Sequence, residues 1–370
     1  MDRLKIGIIG CGAIGQIQYL PLLRDLRQHY QIAGISDLST DLMTNLGLDY
    51  GIPAERQFTD FNQLIASEID CVVVCNTTSY HAAPAIAAAN AGKHVLIEKP
   101  MCTTIAEAES IAAAGESAGV VTMVGYMKQH DPAYRYARDL VDRMEDIRFV
   151  QVNHLHPDNS LHLKRFFLHK ATDLDQSVRD QMTADEAKLT AEALGLRDGH
   201  VPPDAAKAFF WTLNSMIHDI GNLSGMFGPP ERIVSAGIWE NGNCITATLE
   251  YGGGFRAVAS WIDLPDLQTF EETFAVYGSR QRVVVSFPTG FSIGLPTNVS
   301  VQGMDADESA WSKHLAWHEN PFRLELLAFH ECITQGVAPL TPARAAVDDI
   351  RLAGDIVKTA ISAQERTHVN

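Results

Sequence analysis

The amino-acid sequence predicts an α/β protein with an N-terminal doubly wound parallel sheet and a C-terminal α/β domain built on a large, mostly antiparallel open sheet. Three features lead to this prediction. Short apolar strands alternate with helical segments over about the first third of the 370 residues. Longer strands, joined by Gly-rich turns such as "YGGGF", follow from about residue 128. Two long helical segments close the chain.

The first domain is assigned to residues 1–127. Its predicted strands are "LKIGIIG", "QIAGIS", "DCVVVC", "HVLIEKP" and "VVTMVGY". Between them lie segments with the apolar spacing of helices, among them "PAIAAANAGK" and "TIAEAESIAAAGESAG". Strands that alternate with helices of this length pair in parallel, because each helix carries the chain back across the sheet.

The second domain is assigned to residues 128–340, and a C-terminal helix to residues 341–370. The predicted strands of this domain include "DIRFVQVNHLH", "CITATLEYG", "GFRAVASWIDL", "TFEETFAVYGS" and "QRVVVSF". The helix "AKAFFWTLNSMIHDIGNLSGMFG" lies among them. Thr341 and Pro342 provide a favourable start for the C-terminal helix, which we expect to pack back on the first domain.

A segment at about 160–204 is longer than the connection between a strand and a helix requires, and we predict it to be an insertion. Its helix is expected to begin at a capping box of Thr183 and Glu186 and to end at Gly195. Long insertions beside active sites often form lids or interface arms. The alternative is a pair of solvated surface helices.

The composition indicates a soluble globular protein that binds neither nucleic acid nor membranes. The net charge is −16, whereas proteins that bind phosphate backbones or anionic lipids concentrate lysine and arginine. The six cysteines form no CxxC pair, which disfavours disulfides and structural zinc and fits a reducing cytoplasm. No apolar run has the length of a membrane span. We therefore expect a cytoplasmic location.

A glycine motif separates the first strand from the first helix. It reads GxGxxG and consists of Gly10, Cys11, Gly12, Ala13, Ile14 and Gly15. In this position glycines let the backbone approach a dinucleotide pyrophosphate, as in a Rossmann domain, and the alternative is a purely structural turn. Asp37, after the second strand, would accept hydrogen bonds from the ribose hydroxyls and repel a 2′-phosphate. The sequence therefore predicts NAD as the cofactor in preference to NADP.

A charged pair, Glu98 and Lys99, follows the apolar strand "HVLI" and is stopped by Pro100. Because parallel α/β sheets bind ligands beyond the carboxyl ends of their strands, Lys99 is expected beside the cofactor and a substrate hydroxyl. Burial can bring the pKa of a lysine toward neutrality, which suits this residue type to acid–base catalysis. Glu98 would hold that lysine or face the nicotinamide. A solvated salt bridge at the strand end is the alternative.

Four motifs occur in order along the chain: "GIIGCGAIG", "AGKHVLIEKP", "VGYMKQHDPAY" and "MIHDIGNLSGMFG". Together they resemble the Gfo/Idh/MocA family of NAD(P)-dependent sugar and cyclitol oxidoreductases, over nearly the whole chain. The resemblance implies a Rossmann domain followed by an α/β domain, with the substrate between them. It also implies a homodimer or homotetramer that forms through the open sheet.

The resemblance further implies roles for individual residues. Lys99 matches the catalytic lysine of the family, and His218 matches the histidine that acts as acid or base. Lys128 matches a basic substrate contact, and His81 matches the histidine after the fourth strand, which we expect near the cofactor. Without the resemblance, a single histidine on an apolar helix, such as His218, is more commonly a satisfied core residue.

Besides the long segment at about 160–204, the sequence departs from the family pattern at two places. Asn214 stands four residues before His218, where polyol-oxidising members often carry an aspartate. An amide can orient a neutral imidazole but cannot stabilise an imidazolium by charge, so Lys99 is the stronger acid–base candidate. Asn76 and Thr77 stand where the family commonly has a Thr-Pro-Asn turn, and we expect them to contact the cofactor.

Further histidines and cations are expected near the pocket. His154 and His156, on the strand before the insertion, are candidates to line it, and His156 is assigned to substrate binding. Four residues of the insertion are candidates to meet an acidic or phosphorylated substrate: His162, Lys164, Arg165 and His169. The spacing of these histidines does not require a metal, and we predict none.

The sequence thus predicts an NAD-dependent dehydrogenase that oxidises a secondary hydroxyl of a sugar or cyclitol, with Lys99 and His218 as acid–base residues. Two alternatives remain. An NAD-dependent glycoside hydrolase would oxidise its substrate transiently and release no NADH. A non-catalytic dinucleotide-binding sensor fits Asn214, but not the retained Lys99 and His218.

Overall fold

A computed structural model describes residues 3–158, 160–196, 199–291 and 294–368. The chain divides into two compact units. The first unit consists of Met1–Tyr126, Phe166–Gly199 and Phe322–Ile350. The second consists of Met127–Arg165, His200–Pro321 and Arg351–Asn370. Most of the predicted insertion, from Phe166 onward, therefore belongs to the unit that holds the glycine motif.

The secondary structure follows the sequence patterns closely. The β-strands of the described residues are β1 (Leu4–Ile9), β2 (Tyr30–Ser36), β3 (Gln57–Phe58), β4 (Cys71–Val74), β5 (His94–Glu98), β6 (Thr122–Gly125), β7 (Ile147–His156), β8 (Arg232–Trp239), β9 (Cys244–Glu250), β10 (Arg256–Asp263), β11 (Glu271–Gly278), β12 (Gln281–Phe287), β13 (Thr297–Met304) and β14 (Ala310–Trp317). The α-helices are α1 (Leu20–Asp25), α2 (Thr40–Tyr50), α3 (Phe61–Ala66), α4 (Ala82–Asn90), α5 (Ile105–Ala118), α6 (Pro132–Val141), α7 (Ser160–Leu163), α8 (Gln176–Leu194), α9 (Pro203–Trp211), α10 (Ile217–Phe227), α11 (Pro321–Gln335) and α12 (Ala343–His368). Two π-helical turns, Gly15–Tyr19 and Thr212–Met216, precede α1 and α10.

The first unit is built on a six-stranded parallel sheet in the order β3-β2-β1-β4-β5-β6. This is the strand order of dinucleotide-binding sheets, in which the chain starts at the centre and winds outward in both directions. The central strand β4 is buried along its whole length, as an apolar run covered on both faces must be. The predicted doubly wound parallel sheet is confirmed.

The helices of this unit begin and end at residues with capping chemistry. Ser39 caps α2 by accepting a hydrogen bond from the backbone N–H of Leu42. Thr104 and Glu107 form a capping box at the start of α5. The helix α8 begins at Gln176, seven residues before the start predicted at Thr183. Thr183 does not cap the helix but lies inside it, where its hydroxyl donates to the Arg179 carbonyl.

The second unit is built on an eight-stranded sheet in the order β14-β13-β12-β11-β7-β10-β9-β8. Strands β7 and β10 pair in parallel, and the other described pairs are antiparallel, which confirms the predicted sheet type. Alternate residues of β7 are buried, from Val150 and Val152 to His154 and His156. One face of the sheet is therefore packed, and it carries both histidines into the interior.

The C-terminal helix α12 begins at Ala343, directly after Thr341 and Pro342, which agrees with the predicted helix start. The Thr341 hydroxyl donates to the Val124 carbonyl at 2.7 Å, and the Val124 amide donates to the Thr341 carbonyl at 2.8 Å. Residues up to Ile350 cluster with the first unit, and residues from Arg351 onward cluster with the second. Among the helices of the described residues, none combines the length and apolar character of a membrane span.

Candidate active site

The glycine motif forms the turn between β1 and the helical segment that follows it. Gly10 has φ +94°, and a Cβ atom at this position would lie 2.2 Å from the backbone nitrogen of Asn76. Only glycine allows this contact, which brings the ends of β1 and β4 together. A Cβ atom at Gly12 would meet nothing within 4 Å, so this side of the turn faces open space.

A cavity of about 880 Å³ lies at this turn, within the first unit. Four motif residues line it: Gly10, Gly12, Ala13 and Ile14. Gly15 is buried, and it is not among the lining residues. Because the carboxyl ends of β1, β2 and β4 converge at this edge of the sheet, the cavity occupies the place where open α/β sheets bind ligands. Its volume suits a cofactor-sized ligand.

Asp37 lines the cavity where β2 ends. Its Oδ2 accepts a hydrogen bond from the Cys11 amide at 2.8 Å, and its Oδ1 accepts one from the Ser39 amide at 3.0 Å. The carboxylate is thus fixed between the glycine turn and the start of α2. Each carboxylate oxygen has a second lone pair, so both oxygens can still accept hydrogen bonds from ligand hydroxyls.

Asn76 and Thr77 also line the cavity, in the turn after β4. The Asn76 side chain donates to the Tyr80 carbonyl at 2.9 Å, which closes the turn. His81 lies behind this turn and does not line the cavity. Its Nδ1 is 2.8 Å from the Pro100 carbonyl oxygen and its Nε2 is 2.9 Å from the Asn76 carbonyl oxygen. His81 therefore ties the turn after β4 to the turn after β5.

The "EKP" turn after β5 separates its two charged residues. Glu98 is buried, and its Oε1 accepts a hydrogen bond from the Tyr19 hydroxyl at 3.1 Å. Its carboxyl is not among the groups that line the cavity and lies in the interior of the unit. Its predicted contact with Lys99 or with the nicotinamide stays a prediction. Lys99 is partly exposed, and its peptide bond to Pro100 is cis. Lys99 follows the last residue of β5, and it is not among the residues that line the cavity.

Burial has a marked effect on this interior acid. It raises the pKa of Glu98 to about 7, and it raises the pKa of the neighbouring buried Glu325 well above the ordinary range. The like charges of the two carboxyls add to the effect on Glu325. Glu98 and Glu325 are therefore buried carboxyl groups that keep their protons to a higher pH than exposed glutamates do. Glu98 is the last residue of β5, directly before Lys99.

The segment from Phe166 to Gly199 covers one side of the cavity, which residues between Leu168 and Met182 line. Gln16 and the backbone of His169 hydrogen-bond reciprocally, at 2.9 and 3.1 Å. At the far end of the segment, the Tyr80 hydroxyl donates to Asp185 at 2.6 Å. These partners cannot be predicted from local sequence patterns, because each contact joins residues more than a hundred positions apart.

The four candidate residues of the insertion do not form one group. His169 pairs with Asp49, with 2.7 Å between Nε2 and Oδ2. Lys164 and Arg165 are exposed, and they belong with His162 to the second unit. Neither the acidic-substrate role nor the surface-helix role that the sequence left open is supported for the set as a whole.

The second unit contains a chain of buried polar side chains. The Lys128 ammonium contacts both carboxylate oxygens of Glu272. The Nδ1 of His154 lies 2.9 Å from Asp219 Oδ2, and its Nε2 lies 3.1 Å from His156 Nδ1. Glu272 of β11 stands directly opposite His154 of β7, which explains how these groups meet on one sheet face.

Burial also controls protonation in this chain. It raises the pKa of Asp219 to about 7 and raises the pKa of Glu272, while the Lys128 charge opposes both shifts. Among the described residues, His154, Asp219 and Glu272 form a group that could hold a metal, with ligand atoms within 4.8 Å of one another. The Lys128 ammonium already provides a cation at Glu272. Neither Asp219, which lies in the motif "MIHDIGNLSGMFG", nor Glu272 is among the site residues predicted from the sequence.

The second unit also contains three other predicted site residues, each in different surroundings: His156, Asn214 and His218. The His156 ring packs against Trp261 at 5.3 Å and Phe270 at 6.0 Å between centroids. Asn214 lies in the π-helical turn before α10, and its side-chain amide donates to the Phe210 carbonyl at 3.0 Å. His218 is partly exposed on α10. Widened helical turns of this kind are frequent at functional sites.

Comparison with known proteins bears on both units. Residues 4–126 match a family model described as an oxidoreductase family with an NAD-binding Rossmann fold, Gfo/Idh/MocA. This match is to the family that the motifs predict. Inositol 2-dehydrogenase of Paracoccus denitrificans is 35% identical over 133 residues, which cover 35% of this chain and 39% of that protein. An NADP-dependent scyllo-inositol 2-dehydrogenase of Bacillus subtilis is 29% identical over 163 residues, or 42% of each chain.

The likeness of the second unit to known proteins is structural. UDP-N-acetylglucosamine 3-dehydrogenase from Acidithiobacillus ferrooxidans aligns with a TM-score of 0.72, covering 98% of this chain and 99% of that one at 18% identity. This alignment shows that the whole chain has the fold of that protein. In sequence, the chain spans about two fifths of the length of the curated relatives that it matches. The Gfo/Idh/MocA match thus rests on the cofactor domain.

The buried carboxyl of Glu98 predicts a pH-dependent stability. Because its pKa of about 7 lies above the ordinary 4.5, the folded protein keeps a proton that the unfolded chain releases as pH rises from about 4.5 to 7. The free energy of unfolding therefore falls over this range, by up to about 1.4 kcal/mol per pH unit for one group. In Glu98→Gln the profile should be flatter, as measured by thermal unfolding at pH 5 to 8. Exposed Glu55→Gln is the control, and parallel profiles for wild type and Glu98→Gln would contradict the assignment.

The ion pair of Lys128 predicts a large loss of stability on truncation. In Lys128→Met the Glu272 carboxylate loses its buried partner, and we expect a loss of about 3 kcal/mol. The double variant with Glu272→Gln should recover part of it, because the Glu272 carboxylate that lost its partner is gone. All five tryptophans lie in the second unit, so urea unfolding followed by tryptophan fluorescence reports on this unit. A Lys128→Met variant as stable as the wild type would show the pair to be dispensable.

Proposed function

We propose that the protein is an NAD-dependent dehydrogenase that oxidises a secondary hydroxyl group of a sugar or cyclitol, or reduces the corresponding ketone. The observation that carries the proposal is the cavity of the first unit, where the glycine turn and Asp37 meet at the carboxyl edge of the sheet. The family model matches residues 4–126 of this unit, and the sequence relatives include proteins named as dehydrogenases. The substrate class is taken from their names.

The lining residues fit a dinucleotide. The open side of Gly12 leaves room for a pyrophosphate next to the backbone, and the Asp37 carboxylate can accept hydrogen bonds from ribose hydroxyls. Asn76 and Thr77 would contact the nicotinamide half of the cofactor. The bound nicotinamide supplies hydride acceptance, and this chain's residues supply position and proton transfer.

The acid at the end of β2 favours NAD. A carboxylate repels the 2′-phosphate of NADP, and Leu38, Ser39 and Thr40 after Asp37 include no arginine to hold one. One of the relatives is named as NADP-dependent, so the domain family by itself does not fix the choice. Our preference for NAD rests on the residues of this chain.

We assign the proton transfer to Lys99. It follows β5, the strand beside β4, and His81 ties its turn to the turn of Asn76 and Thr77. In the oxidation direction the uncharged amine takes the proton of the substrate hydroxyl as hydride leaves the same carbon. His218 assists as a second acid–base group, and Lys128 and His156 are assigned to substrate binding. The Lys128 ammonium is already paired with the buried Glu272 carboxylate. Its proposed role is therefore to hold a positive charge at a defined position near the substrate.

The lack of an acid at Asn214 limits what His218 can do. The Asn214 amide donates to a helix carbonyl, and an amide adds no negative charge to stabilise an imidazolium. The proton relay of polyol-oxidising relatives would then be weaker in this protein. Lys99 is accordingly the residue whose loss should matter most.

A second candidate function follows from the segment that covers the cavity. Hydrogen bonds at Gln16 and at Tyr80 attach this segment on two sides of the cofactor pocket. A cofactor held in this way suits a reaction that oxidises and re-reduces its substrate within one turnover, such as NAD-dependent glycoside hydrolysis.

We also expect a homodimer or homotetramer through the open face of the eight-stranded sheet.

The test is a substrate panel with a lysine variant. Purified protein is incubated with NAD or NADP and with inositols, aldoses, amino sugars and uronic acids, and nicotinamide absorbance is followed. In Lys99→Ala we expect turnover to fall by at least about 100-fold, since a positioned acid–base group contributes this much, while the Kd for NAD stays unchanged. Lys5→Ala, which removes a surface lysine, is the control.

The outcomes separate the candidate functions. Formation of NADH with one substrate class supports the dehydrogenase. Release of a sugar from a glycoside without net NADH would favour the hydrolase. Bound NAD with no turnover on any compound would leave a sensor, and full activity in Lys99→Ala would contradict the assigned mechanism.

A further inference from the structure

The N-terminus of α2 holds a carboxylate that comes from the segment covering the cavity. Asp173 Oδ2 accepts hydrogen bonds from the Thr40 amide at 2.8 Å, the Thr40 hydroxyl at 2.8 Å and the Asp41 amide at 3.1 Å. Its Oδ1 accepts one from the Ser39 hydroxyl. These hydrogen bonds, from the Ser39 and Thr40 hydroxyls above all, hold the pKa of Asp173 well below its usual range. Asp173 is therefore an anion at neutral pH.

The donors around Asp173 begin two residues after Asp37. Hydroxyls and backbone N–H groups at a helix N-terminus are the groups that bind phosphate. In a dinucleotide-binding domain, the acid at the end of the second strand binds the ribose 2′-hydroxyl, and a 2′-phosphate extends from that same position. Ser39, Thr40 and Asp173 do not themselves line the cavity, but the donors that follow the cavity-lining Asp37 and Leu38 are already used by a protein carboxylate.

We propose that Asp173 occupies the place that the 2′-phosphate of NADP would take, and that it thereby restricts the pocket to NAD. The inference rests on the proposed cofactor site. Asp173 acts in two ways. It saturates the hydroxyl and amide donors, and it adds negative charge beside Asp37 that repels a second anion. Specificity for NAD is then set partly by a residue far from the glycine motif in sequence.

A purely structural role for Asp173 makes a different prediction. Thr172, the preceding residue, attaches the same segment to the same helix through a 2.7 Å hydrogen bond to Asp41 Oδ2. Removing either contact would loosen the segment. Only removal of Asp173 would free donors and remove a charge, so Thr172→Ala is a matched control.

The experiment measures the Kd of NAD and of NADP by calorimetric titration of the full chain. The wild type should prefer NAD. In Asp173→Ala the ratio of the NADP Kd to the NAD Kd should fall by about tenfold, because repulsion of a phosphate dianion is removed and its donors are freed. Asp173→Asn should give a smaller change, because its amide oxygen still accepts from the same donors. In Thr172→Ala both Kd values should rise together and leave the ratio unchanged.

Other outcomes overturn the proposal in distinguishable ways. Equal weakening of NAD and NADP in both Asp173 variants would make Asp173 an anchor only. Wild-type protein that binds NADP as tightly as NAD, for instance through the cavity-lining Lys170, would refute the role of Asp173 and leave the dinucleotide site intact. Wild-type protein that binds neither nucleotide would remove the proposed function and this inference together. If Asp173→Ala fails to fold, the near-isosteric Asp173→Asn carries the comparison.

Discussion

The contact between the backbones of Gly10 and Asn76 is the constraint on which the cofactor domain depends. A Cβ atom at Gly10 would lie 2.2 Å from the Asn76 nitrogen, so the ends of β1 and β4 can meet only with glycine there. Their contact fixes the turn that carries Asn76 and Thr77, and through His81 it reaches the turn at Lys99 and Pro100. The cavity and the proposed catalytic lysine are thus positioned by one close approach.

Each unit places titratable groups in its interior next to the residues assigned to function. In the first unit, Glu98 and Glu325 lie beneath the strand end of Lys99, and burial raises the pKa of both. In the second unit, Lys128 and Glu272 lie in one polar cluster with His154. Buried charges reduce stability unless they are paired, so such clusters indicate a functional requirement. The glutamate of the "EKP" turn is an interior acid whose pKa is raised by burial, and its contact with the cofactor stays a prediction.

The segment from Phe166 to Gly199 contributes side chains and hydrogen bonds to the cofactor pocket. It belongs to the cofactor unit, although it follows strand β7 of the second unit in sequence. Its hydrogen bonds to Gln16, Tyr80 and the start of α2 attach it on several sides of the cavity. Cofactor retention and cofactor choice would then both depend on the same segment, which links the proposed hydrolase alternative to the proposed role of Asp173.

The sequence by itself determined the parallel and antiparallel sheets, the glycine turn and the position of Asp37, because apolar spacing and glycine requirements act between near neighbours. It did not assign roles to Asp173, Asp219 or Glu272, although Asp219 lies in the motif "MIHDIGNLSGMFG", and it left two arrangements open for Glu98. These side chains acquire their partners only when β7 pairs with β11 or when a distant segment reaches α2. Contacts between residues 50 to 150 positions apart leave no local pattern, so only the tertiary structure decided which carboxylates are buried, paired or placed against a helix end.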